Sequence, residues 1–237
     1  MSKKSTERSR AERTAALIKE QQRAERRRQL TIVVVITAVL ALIVGVYLFF
    51  ALKHDPTPHT AKDSEFGLVI GPEDAKTKIV VYEDFLCPVC QYFESKTRDK
   101  LQAAADAGDV SVEYRPFFFL QQFGDYSERA TNAFRAVWVE SGDDAALKMH
   151  NELYENQPSE EGPFPDNDWL VEKAVAAGAD EDTIRPAIED MKEQKWVDEA
   201  TKDASQIQGT PTVYVNGDIV EAGTIDGVVA QVLTAIG

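Results

Sequence analysis

Two thiols carry the chemistry that this chain can do. Cys87 and Cys90 are the only 2 cysteines in 237 residues, and they stand three apart in the run Cys87-Pro88-Val89-Cys90. On the first turn of a helix, a pair at that spacing can close into a small disulfide ring. Thiolate attack can pass that ring to another protein or take one from it. Half of a zinc site has the same spacing, but zinc takes four ligands. The further candidates are His54, His59 and His150, two of them in a polar stretch, so no metal is expected. A purely structural disulfide is disfavoured as well, because so short a loop restricts the unfolded chain less than a long crosslink would.

The elements that must position these thiols are legible on both sides. Ile79, Val80, Val81 and Tyr82 form a short apolar run, which suits an inner strand covered on both faces. After it, Cys90, Phe93, Thr97, Leu101 and Ala104 recur at helical steps and share one stripe. Cys90 is thereby expected to face the core, and Cys87 to sit at the helix start with its sulfur towards solvent. Pro88 fits the first helical position. The unpaired N–H groups and the helix dipole favour a thiolate at Cys87. The pair reads as asymmetric, with Cys87 the nucleophile and Cys90 the shielded resolving thiol.

Far downstream, Pro211 opens a second apolar strand in Gly209-Thr210-Pro211-Thr212-Val213-Tyr214-Val215. Asn216-Gly217 predicts a type I′ hairpin turn, with Ile219 to Ala222 as the returning strand. Val229, Val232, Leu233 and Ile236 predict a closing amphipathic helix. Between the motifs, Val110 to Tyr114 reads as another strand. From Asp125 to about Gln206 the pattern is helical, in stretches 143–156, 168–177 and 181–206 after a first stripe at Ala130, Ala133, Phe134 and Val137. Trp138, Trp169 and Trp196 read as core packing for these helices.

Tyr82-Glu83-Asp84-Phe85-Leu86 before Cys-Pro-x-Cys, and Gly-Thr-Pro-Thr before a hairpin and final helix, resemble the thioredoxin fold. More narrowly, residues 66–237 resemble the DsbA-like family of extracytoplasmic thiol-disulfide oxidoreductases. The resemblance implies an α/β thioredoxin fold with a helical subdomain inserted at about 125–206. It implies catalytic roles for Cys87 and Cys90 without any cofactor. It also implies a cis Pro211 lying against the active-site disulfide, and a Thr210 whose backbone pairs with the bound substrate strand. Relatives carry a buried carboxylate six residues before the first cysteine as a proton relay. Val81 stands there in this chain, leaving Glu83 and Asp84 as the candidate relays. The motif has Val89 where the most oxidising relatives have a histidine, so a redox potential between the family's extremes is expected. The implied partners are exported proteins with free thiols and a membrane oxidant of the DsbB or vitamin-K-epoxide-reductase type. The favoured direction is oxidation of clients. A reductase or isomerase of the same fold is the alternative, and a tethered binding or chaperone module without catalysis is the alternative of a different class.

The N-terminal region bears on location. Residues 30–52 are 23 consecutive uncharged, mostly apolar residues. About 20 suffice to span a bilayer as a helix, and a secretory signal core is usually about 7–15. Residues 1–29 carry ten basic and four acidic side chains, with Arg23, Arg26, Arg27 and Arg28 crowding the apolar edge. The positive-inside rule then predicts a cytoplasmic basic tail at 1–29, a transmembrane helix at 30–52, a linker at 53–65 and an extracytoplasmic domain. The basic tail suits anionic headgroups of the bilayer. From His54 onward 36 acidic residues face 15 basic ones, which speaks against nucleic acid as a partner. The topology is checked by treating intact spheroplasts of a bacterial host with protease. Residues 66–237 should be digested and the basic tail spared, and protection of the domain would overturn the assignment.

Overall fold

The structure, a computed structural model, describes residues 65–237. The basic tail, the apolar run at 30–52 and all but the last residue of the linker lie outside the described residues. Among the described residues no helix is long and apolar enough to cross a membrane.

The strands are β1 (Leu68–Ile70), β2 (Thr77–Glu83), β3 (Val110–Pro116), β4 (Thr212–Val215) and β5 (Asp218–Ile219), and they form one sheet in the order β1-β3-β2-β4-β5. β2 runs parallel to β3 and antiparallel to β4, so Val81 lies between Tyr114 and Val213. Side chains alternate across a strand. Ile79 and Val81 pack with Phe93 and Leu101 of helix α1 (Pro88–Ala107), while Val80 and Tyr82 pack with Phe117, Ala204 and Ile207 on the other face. Burial on both sides is why the strand reads as a continuous apolar run. The same parity carries Glu83 to the α1 side, two residues beyond Val81.

Between β3 and β4 come α2 (Tyr126–Ser141), α3 (Asp143–Glu155), α4 (Asn167–Ala177), α5 (Glu181–Glu189) and α6 (Gln194–Asp203), and α7 (Ile225–Ile236) closes the chain. The helices share a core with the active-site loop, in which Phe85, Leu86 and Cys90 join Phe134, Met149 and Leu153. Trp196 is buried and Trp138 and Trp169 pack against this core, with the Arg135 guanidinium 4.6 and 5.1 Å from the Trp138 and Trp196 ring centres. The architecture is thus an α/β thioredoxin-type sheet with an inserted helical layer.

Three details differ from the sequence expectations. β1 was not anticipated, because three residues are too few to show a period; it exists through antiparallel pairing with β3. The stretch 181–206 is broken rather than continuous. Met191 adopts a left-handed φ of 48°, and the Glu193 N–H donates to Asn132 Oδ1 at 2.9 Å, so a side chain from α2 fixes the break. The returning strand is shorter than expected, since regular pairing stops at Ile219. The turn itself has positive φ at Asn216 (53°) and Gly217 (88°), as type I′ geometry demands.

Phe85 links the two layers, with its ring 5.6 Å from Phe134 and 5.3 Å from Tyr154 and no exposed surface. Phe85→Ala should destabilise the domain by about 3–5 kcal/mol, the usual cost of emptying a closed aromatic site. Urea unfolding monitored by circular dichroism checks this, with the midpoint falling sharply.

Candidate active site

Cys87 is the N-cap of α1. Its backbone is extended (φ −73°, ψ 115°), Pro88 takes the first helical position, and Sγ accepts the Cys90 N–H at 3.4 Å. Sulfur here stands where Ser or Asp oxygen stands in ordinary caps. A thiolate makes the better acceptor and also meets the positive end of the helix. The Cys87 thiol reaches the Thr210 carbonyl oxygen at 3.3 Å, and the Thr210–Pro211 peptide is cis. Residues more than a hundred positions apart meet because β4 runs antiparallel to β2 and delivers its leading loop to the C-terminal end of that strand.

The expectation that the Cys87 sulfur faces solvent is corrected. Cys87 is 5% exposed and Cys90 0%. The contact with Thr210 shows the reason, which is that the loop before β4 lies over the sulfur. The asymmetry between the thiols survives in their protonation. Cys87 is lowered to about 7, first by a hydrogen bond from the Cys90 thiol, then by Thr210 and the N–H groups of Cys90 and Val89, all against the effect of burial. Cys90 is pushed well above the ordinary thiol range by burial first, and further by Cys87 and the Glu83 carboxylate.

The two candidate relay carboxylates part company. Asp84 Oδ1 accepts the Leu86 N–H at 2.8 Å, and Oδ2 accepts those of Phe119 and Leu120 at 2.8 and 2.9 Å. It ties the loop after β2 to the segment after β3. Burial raises its pKa, and the Ser127 side chain and these amides oppose the rise. Glu83 instead points towards α1 and α3, where Oε1 lies 2.6 Å from His150 Nε2. The inserted segment also clamps the loop directly. Gln157 Nε2 donates to the Phe85 and Cys87 carbonyls at 3.0 and 3.1 Å, and Gln91 Nε2 donates to the Tyr154 carbonyl at 3.0 Å.

Two further residues join Glu83 that the sequence reasoning missed as site residues, Glu94 and His150. The donor-type atoms of all three lie within 4.8 Å of one another, and each residue is at most 1% exposed. The imidazole is ringed by Tyr114, Tyr154 and Phe85, with centroids 4.4, 5.0 and 5.8 Å away. Its Nδ1 lies 3.3 Å from Asn151 Oδ1. With an oxygen at each ring nitrogen, the imidazolium satisfies both. Burial pulls the His150 pKa down, and Glu83 more than reverses it, so the net direction is up. The Glu83–His150 bond engages the imidazole Nε2 and one Glu83 oxygen, and the cluster reads as proton-sharing. Glu94 had one visible signal: it lies four residues after Cys90, on the apolar stripe, where a charged side chain is out of place.

Comparison with known proteins agrees with this geometry. A family model described as Thioredoxin matches residues 63–232. The chain belongs to the thioredoxin family. Disulfide bond formation protein D of Bacillus subtilis is 30% identical over 162 residues, covering 65% of this chain and 69% of that protein. The crystal structure of reduced DsbA from Mycobacterium tuberculosis superposes with a TM-score of 0.61 at 30% identity, over 73% of this chain and 93% of that one. Oxidised BdbD from Bacillus subtilis gives 0.62 at 26% identity, over 72% and 92%. The family member described here is a DsbA-like protein thiol-disulfide oxidoreductase.

The protonation asymmetry is open to direct measurement. Only a thiolate alkylates, so the modification rate of Cys87 by iodoacetamide in the reduced protein should climb with pH through a midpoint near the value of about 7. Peptide mass spectrometry should find Cys90 unmodified across the same range. Faster labelling of Cys90 would reverse the assignment of roles.

Proposed function

We propose that the chain oxidises thiols of exported proteins on the outer face of a bacterial cytoplasmic membrane, anchored through residues 30–52 with the N-terminus inside. A client thiolate attacks Cys87 Sγ of the disulfide, and the electron pair of the broken S–S bond leaves on Cys90. A second client thiolate then attacks the client sulfur of the mixed disulfide, releasing an oxidised client and the Cys87 thiolate. A membrane oxidant of the DsbB or vitamin-K-epoxide-reductase type takes two electrons from the dithiol and restores the disulfide. Thr210 and Pro211 form the surface against which the client strand lies, and Glu83, rather than the amide-bound Asp84, is the carboxylate that serves Cys90.

The observation that carries thiol-disulfide exchange is the lowered Cys87 thiol, held by the helix cap and the Cys90 thiol. A value of about 7 makes Cys87 both a ready nucleophile and a good leaving group, which serves exchange in either direction. The relatives named for disulfide bond formation support the oxidase direction. The uncharged run at 30–52 and the arginines before it support the anchor.

Equilibration with glutathione buffers tests the direction. The Cys87/Cys90 couple should lie between about −270 mV, the thioredoxin value, and about −120 mV, the DsbA value. Val89→His should shift it in the oxidising direction by adding positive charge beside Cys87. A thioredoxin-like potential that ignores Val89→His would favour the reductase. Client processing retained by a double Cys87→Ser, Cys90→Ser variant would favour a binding module.

A further inference from the structure

Glu94 is a carboxyl with no reason to be ionised where it stands. It is 1% exposed, and neither of its oxygens has a hydrogen-bond partner. A charged carboxylate in that condition has neither water nor a donor to stabilise it, so the group is kept as the neutral acid. Burial pushes its pKa up to about 8 and Glu83 adds to the rise, while His150 and Arg98 oppose it. A neutral carboxyl carries a proton that it can give. Next to it stand His150 and Glu83, already joined by a hydrogen bond of 2.6 Å, and Glu83 acts electrostatically on Cys90.

The demand for a proton arises at Cys90. When a thiolate bonds to Cys87 Sγ and the Cys87–Cys90 bond breaks, both bonding electrons stay on Cys90, inside the protein. We propose that Glu94 is the proton reservoir for this thiolate, connected to it through the His150–Glu83 pair. One proton passes from the pair to Cys90 Sγ, and Glu94 replaces it, ending as a carboxylate beside the imidazolium. In the reverse step, Cys90 returns its proton along the same groups as its sulfur attacks Cys87. Glu94 and His150 are positioning residues that act through Glu83, and neither touches the sulfur atoms that exchange.

The groups around the cluster are consistent with transfer among these three. From β3 it is faced by Tyr114, from α3 by Tyr154, and from α1 by Cys90 and, a turn beyond Glu94, by Arg98. Both phenols are pushed well up by burial and stay protonated. Arg98 pairs with Glu155 at 2.8 Å. Asp84 spends its oxygens on the amides of Leu86, Phe119 and Leu120.

The inference rests on Cys87 and Cys90 being an exchanging pair but not on the direction of exchange. It is tested by reducing the oxidised full-length chain with dithiothreitol across a pH series, with acid quenching and mass counting of alkylated thiols. After correction for dithiothreitol ionisation, the wild-type rate should hold steady up to the value of about 8 and fall above it, as Glu94 gives up its proton. Glu94→Gln should be within about threefold of wild type in mild acid and about tenfold slower just below that value. With Glu94 gone, His150 holds the last mobile proton and loses it as pH rises. An unchanged profile in Glu94→Gln, while the wild type is reduced normally, overturns the reservoir alone; a wild-type disulfide that does not exchange at all overturns the underlying functional reading. A second measurement needs no variant. With carboxyl-¹³C glutamate in the wild type, one resonance should titrate near the value of about 8 and move when the disulfide is reduced. Glutamates that all titrate in the ordinary range, or a stoichiometric metal in the purified protein by mass spectrometry, would overturn the proposal.

Discussion

Cys90 must change its charge in a place that water does not reach. Taking an ion from water into a protein interior costs several kcal/mol even after relaxation, and burial accordingly holds Cys90 well above the ordinary thiol range. A disulfide exchanger cannot avoid this, because breaking the bond leaves electrons on one sulfur or the other. The structure answers on both sides of the ring. At Cys87 the charge is tolerated, because the sulfur caps a helix and accepts the Cys90 N–H. At Cys90 it is not, and titratable groups stand behind that thiol instead.

One turn of helix separates the two environments. The N-cap residue has its backbone outside the helix and its side chain folded over the first free amides. Three residues later the side chain points down the stripe that packs on β2. The same covalent motif therefore delivers one sulfur to a field of amide dipoles and the other to a hydrocarbon core. The cis peptide at Thr210–Pro211 and the Asp84 carboxylate complete the frame. The first sets a carbonyl against the Cys87 thiol, and the second fastens the loop that carries it to the segment after β3.

The inserted helices are part of this arrangement. Gln157 holds two carbonyls of the cysteine loop, α3 supplies His150, and Phe85 sits among Phe134, His150 and Tyr154. A sheet with only α1 and α7 would leave Glu83 without its imidazole partner. The insertion thereby sets the His150 imidazole of α3 against the end of β2.

The sequence by itself determined the local pieces. Apolar runs marked β2 and β4, because strands buried on both faces have no polar side to show. The steps after Cys90 marked the face of α1, and Asn216-Gly217 marked a turn that few other pairs accommodate. Family motifs marked Cys87, Cys90, Thr210 and Pro211. Tertiary structure decided what periodicity cannot encode. β1 exists only as a partner for β3, and the helical stretch 181–206 breaks where Asn132 of another helix caps Glu193. Cys87 is covered because a loop distant in sequence lies over it. Glu83 and Asp84 are adjacent carboxylates of nearly equal chemistry, yet strand alternation turns one towards His150 and leaves the other to backbone amides. His150 and Glu94 had no motif to announce them. Their roles arise from burial beside each other, and burial is a property of the packed chain rather than of any segment read alone.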